Sequence, residues 1–162
     1  MNVKKIVLFT IILMITISSL SIVSAGLFGP DTQEVTVNGT NFVLDGNIKI
    51  TGQNGNLVNF ALKDGITGFL TNIEDDDALN SYIENDTELG YTAFEVSSVS
   101  DIKEYGFVED GLNKGYFILF QKDGNNFVYY ISTDIKAGDN DVKEIASSMT
   151  EFVKNNKDIK PI

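Results

Sequence analysis

Three of the Asx-Gly pairs in this chain each interrupt a run of apolar, aromatic and β-branched residues. Asn38-Gly39 sits inside Glu34–Leu44, Asp64-Gly65 separates Leu57–Leu62 from Ile66–Ile73, and Asp123-Gly124 separates Gly115–Gln121 from Phe127–Ser132. Asn, Asp and Gly tolerate the positive φ that a tight hairpin turn demands, so each pair predicts two antiparallel strands joined by a short loop. A chain with three such hairpins is committed to an antiparallel sheet.

Further strands are expected at Ile48–Thr51, after the Asp45-Gly46 turn, and at Tyr91–Val99 and Ile102–Val108. Two segments have helical rather than strand spacing. Asp75-Asp76-Asp77 opens one that carries Ala78, Leu79, Tyr82 and Ile83 on one face. Asp141 precedes another with Val142, Ile145, Met149, Phe152 and Val153 on one face, and Glu144 three positions on suggests a capping box. The expected fold is α+β: an antiparallel sheet of hairpins with two amphipathic helices packed on it. Phe60–Thr71 and Leu119–Tyr130 align on a shared Lys-Asp-Gly turn, and each precedes an acidic turn and a helix. Two readings meet that match, a duplicated ββα unit and a turn favoured for its own chemistry.

The segment 1–25 reads as a signal for export. Lys4 and Lys5 precede an apolar run, Ile6–Val23, and Val23-Ser24-Ala25 forms a small-residue cleavage site before Gly26. The same run is just long enough to serve as an uncleaved anchor and the chain's one membrane contact. The expected organisation is a signal or anchor over 1–25, a flexible lead over 26–33, one α+β domain over 34–155 and a fraying polar tail over 156–162.

Removing 25 of 162 residues leaves 137, enough for one core without disulfides, and no Cys is present. The remainder keeps ten lysines and all 23 acids, a net charge of −13, with no Arg anywhere. Nucleic-acid binding needs a basic stripe that this chain lacks, and an anionic membrane surface would repel it. Without His or Cys the chain cannot build histidine-assisted nucleophiles or the usual zinc, haem and iron–sulfur ligand sets. Carboxylate chemistry and hard-cation binding are left.

The acids offer two calcium candidates, Asp75, Asp76 and Asp77, and Asp139 and Asp141. Both groups stand where a helix starts, and for Asp75-Asp76-Asp77 complementing the helix dipole is the better explanation. Neither has the EF-hand spacing. Among the aromatics, Tyr116, Tyr129 and Tyr130 are candidate exposed contacts. Alternation makes both faces of Tyr116–Phe120 apolar, however, which is how a strand covered on both sides reads. Asn38-Gly39-Thr40 and Asn85-Asp86-Thr87 match the N-glycosylation acceptor pattern. Asn38 is explained by its turn as well, and Asn85 lies near a helix end. No catalytic motif is present, so no catalytic residue and no cofactor is assigned.

Lys4-Lys5, Gly26-Leu-Phe-Gly29 and Val35-Thr-Val-Asn-Gly-Thr-Asn-Phe42, in that order, resemble small exported α+β proteins of methanogenic archaea. In those the hairpin often continues into Ile-Pro-Asp-Gly; here Val43-Leu44-Asp45-Gly46 lacks the proline. The resemblance implies an envelope or exterior location and carries over no functional residues. The expected function is an exported, acidic, non-enzymatic binding or envelope-associated module with an unidentified partner. The alternative is a calcium-dependent module or a carboxylate-based hydrolase.

Overall fold

The computed structural model of the chain describes residues 31–84, 92–109, 112–133 and 138–162. The expected signal or anchor and most of the lead lie outside the described residues. The elements run β1 (Thr32–Val37), β2 (Thr40–Asp45), β3 (Lys49–Asn54), β4 (Leu57–Lys63), β5 (Ile66–Ile73) and α1 (Asp76–Ile83). They continue with β6 (Thr92–Val99), β7 (Ile102–Glu109), β8 (Leu112–Lys122), β9 (Asn125–Thr133), α2 (Asp139–Asn155) and β10 (Lys160–Pro161). The fold is α+β: a mostly antiparallel sheet with two helices. The main sheet has the order β3-β4-β5-β9-β8-β7-β6, with β10 also pairing β8, and β1 pairs β2 separately.

The turns explain the hairpins. Asn38 and Gly39 (φ 49° and 76°) and Asp123 and Gly124 (φ 51° and 81°) are left-handed at both central positions, which matches the twist of the flanking strands. Val99 and Ile102 are joined the same way through Ser100 and Asp101 (φ 50° and 66°), a tight turn with neither Gly nor Asn. In the Asp64-Gly65 turn only Gly65 has positive φ (79°), and there the register slips between Ala61 and Lys63. A single left-handed residue beside an extra one in the strand is how a bulged hairpin is built.

The two hairpins that share Lys-Asp-Gly meet at the sheet centre, where β5 pairs β9. When their turns are aligned, Leu70 corresponds to Tyr129, and these two are directly paired. Phe69 pairs Tyr130 and Thr71 pairs Val128, so the pairing is two-fold about that point. The relation stops there. The β4 bulge puts Phe60 in one core while its counterpart Leu119 is in the other, and the two helices lie on opposite faces of the sheet.

Both faces of β8 are covered. Tyr116, Ile118 and Phe120 face the larger core with β1, β2 and α2; Phe117 and Leu119 face the smaller with α1. In the larger core Tyr129 stacks between Phe60 at 5.1 Å and Phe152 at 4.2 Å, and Phe42 meets Phe127 edge-on at 4.9 Å. Burying side chains of this size stabilises by about 1.5–3 kcal/mol each.

Three boundaries differ from expectation. The domain begins at Thr32 rather than after a lead to 33, because Gln33 donates through Nε2 to the carbonyls of Asp45 and Ile48. Helix α2 begins at Asp139, with Gly138 as N-cap and Asp141 as the third helical residue. Asp141 therefore accepts from the Gly138 N–H at 2.9 Å, and Glu144 is freed for another partner. The segment 156–162 is no fraying tail: Asn156 is 2 % exposed and β10 pairs Lys160 with Gln121 beyond the end of β7. Composition made that segment look polar and loose, whereas an unused stretch of the β8 edge gives its backbone a partner. No helix among the described residues is long and apolar enough to cross a membrane.

Candidate functional site

Helix α2 presents two adjoining stripes. Ile145, Met149, Phe152 and Val153 enter the core, and beside them Glu144, Ser147, Ser148 and Glu151 follow the i, i+3, i+4, i+7 spacing of a single helical face. That polar face forms one wall of an open cleft of about 140 Å³. The opposite wall is the end of β2 and the turn after it, Asp45, Asn47 and Ile48, with Leu62 of β4. Ile48 and Leu62 make an apolar floor, and Asp45, Glu144 and Glu151 set three carboxylates around the mouth.

The turn wall is held rigid. One carboxylate oxygen of Asp45 accepts from the Asn47 backbone N–H at 2.8 Å and from its side-chain amide at 2.9 Å. Gln33 bridges Asp45 and Ile48 from below. The helix wall is anchored at Ser148, whose hydroxyl lies 3.1 Å from the Tyr129 hydroxyl. Burial pushes the Tyr129 phenol well above its ordinary pKa, so it stays neutral and serves as a hydrogen-bonding post.

The cations are partly engaged. Lys63 bridges Asp141 at 2.8 Å and Glu144 at 2.5 Å, and Lys154 pairs with Glu151 at 2.8 Å. Hydrogen bonds that Lys63 donates to Asp141 and Glu144 raise the Lys63 pKa, and those Asp141 accepts from Lys63 and the Gly138 N–H lower that of Asp141. Asp45 has only amide partners among the described residues. The mouth is thus negative on balance.

The residues singled out from sequence go elsewhere. Asp75 is the N-cap of α1 and accepts from the Ala78 N–H at 2.7 Å; Asp76 and Asp77 follow in its first turn. Asp139 stands in the first turn of α2, and Asp141 both caps that helix and holds Lys63. No three carboxylates gather to hold a metal ion among the described residues. Tyr116 and Tyr129 are not exposed contacts: they are 7 % and 0 % exposed, because β8 and β9 run through the centre of a sheet covered on both faces. Tyr130 is half-buried, stacked on Phe69 at 4.8 Å and Phe107 at 5.1 Å. Asn38 is exposed at its turn, and Asn85 lies outside the described residues.

The cleft was missed from sequence. Its helical half was legible as a polar stripe beside an apolar one. Its other half comes from a segment far earlier in the chain, which only the packing of the β1–β2 hairpin against α2 brings near. No known family model matches the chain, and no curated protein does.

Proposed function

We propose that this chain is an exported, acidic, extracytoplasmic module that binds rather than catalyses, and that its cleft receives a positively charged group. The observation that carries the reading is the cleft itself: an apolar floor of Ile48 and Leu62 under a mouth bearing Asp45, Glu144 and Glu151. An alkylammonium fits that chemistry, its carbon chain on the floor and its charge among the carboxylates. The signal-like segment 1–25, the net charge of −13 that follows its removal and the absence of His, Cys and Arg support the location and the non-enzymatic role. The repeat is proposed for the paired β5 and β9 strands alone, since the helices after them depart to opposite faces.

The test is a titration with n-butylammonium, with n-butanol as the neutral control, followed by backbone amide shifts. The expected result is saturable shifts at Ser147, Ser148 and Asn47 that weaken with salt and vanish in an Asp45→Asn, Glu144→Gln, Glu151→Gln variant. Equal shifts with butanol, or none that saturate, would overturn the cleft. Carboxylate-dependent turnover of a hydrolase substrate would overturn the non-enzymatic reading.

A further inference from the structure

Thr40 is a polar residue in an apolar position. It alternates with Phe42 and Leu44 on the core-facing side of β2, opposite Val37, and is 4 % exposed. Its hydroxyl makes no hydrogen bond with any described residue, a costly arrangement for a buried polar group. Valine has nearly the same shape and strong strand propensity, so neither packing nor pairing explains a threonine there. Asn38, two positions earlier, suits its tight turn through its backbone alone. The turn needs a residue that tolerates φ 49°, which Asp or Gly would supply, and the Asn38 carboxamide also makes no hydrogen bond with any described residue. Asn38 and Gly39 are exposed, and nothing lies within 4 Å of where a side chain at Gly39 would begin.

We infer that Asn38 is a site of N-linked glycosylation, and that Thr40 is present to make Asn38 an acceptor rather than to stabilise the fold. The pattern Asn-x-Thr supplies the acceptor amide and the hydroxyl that a glycosyl transferase reads. In the transfer, Asn38 Nδ2 bonds to the anomeric carbon of a lipid-phosphate-linked glycan. The carbon–oxygen bond to the phosphate breaks, the lipid phosphate leaves with the electron pair, and one amide proton is lost to the transferase. Because Thr40 is buried after folding, the transfer occurs on the still-unfolded chain as it is exported. The finished sugar then projects from an exposed turn.

This inference rests on the export reading, and one experiment separates the two. The full chain, carrying Asn85→Gln to remove the second acceptor, is expressed through a secretory pathway that performs N-glycosylation, and intact mass is read with the N-terminal residue. The expected product begins at Gly26 and carries a glycan that Asn38→Asp and Thr40→Val abolish and Thr40→Ser retains. Thr40→Val should keep or raise the melting temperature, which a structural threonine would not allow. A product beginning at Gly26 with bare Asn38, or a glycan that persists in Asn38→Asp, would overturn the assignment alone. A full-length, unmodified product retained in the cytosol would overturn the export reading with it.

Discussion

The side-chain amide of Asn156 hydrogen-bonds to both backbone groups of Val43, a residue of the opening hairpin. It accepts from the Val43 N–H at 2.9 Å and donates to the Val43 carbonyl at 2.8 Å, as a neighbouring strand would. The same amide donates to the Phe152 carbonyl at 2.8 Å, closing the last turn of α2. One carboxamide thereby ends a helix and ties it to β2, the strand whose end forms one wall of the cleft.

Replacing Asn156 with Ala should therefore be costly. Three hydrogen bonds are lost, and the Val43 groups are left without those partners; at about 1 kcal/mol per bond the expected loss is about 2–4 kcal/mol. Urea unfolding measures it, and a loss below about 1 kcal/mol would show that water replaces the amide.

Gly68 should resist enlargement. A methyl group there would fall 2.3 Å from the Tyr130 carbonyl and 2.6 Å from the Phe60 ring, so backbone as well as ring must move. Gly68→Ala is expected to destabilise by about 1–3 kcal/mol or more. Gly55→Ala meets nothing within 4 Å and should change stability by about 0.5 kcal/mol or less. Equal effects of the two in a thermal melt would refute the contact argument.

The Ser100-Asp101 turn has left-handed backbone at two residues with side chains. A left-handed residue with a Cβ costs roughly 1–2 kcal/mol, whereas Asn and Gly accept it more readily. Ser100→Asn with Asp101→Gly is expected to stabilise by about 1 kcal/mol, read from the shift of the unfolding midpoint. Destabilisation would mean that one of the replaced side chains has a role beyond the turn.

The Lys63–Asp141 bridge sets opposite pH limits. The Asp141 pKa is depressed on folding, so its contribution is present above the unfolded carboxylate value near 3.8 and is lost as pH falls through the lower folded one. The Lys63 pKa is raised, so its contribution is present below 10.5 and is lost as pH rises through the folded value. Lys63→Met should flatten the stability profile at both ends, with a small effect because the pair is solvated. An unchanged profile at acid and alkaline pH would show that the bridge is inert.

Local architecture was legible in the chain, because turn chemistry and hydrophobic period are properties of neighbouring residues. Asn38-Gly39 and Asp123-Gly124 dictated their hairpins, both faces of Tyr116–Phe120 announced a covered central strand, and Asp75 announced the start of α1. Ser100-Asp101 left no such trace, since Ser is not a usual choice for left-handed backbone and no Gly stands in the turn. Tertiary structure alone decided which distant surfaces met. It paired β5 with β9, sent the two helices to opposite faces and recruited residues 160–161 to the β8 edge. It also set Asp45 and Ile48 across from Glu144 and Glu151. Such pairings depend on which apolar faces can be buried together over long loops, and no local pattern encodes that choice.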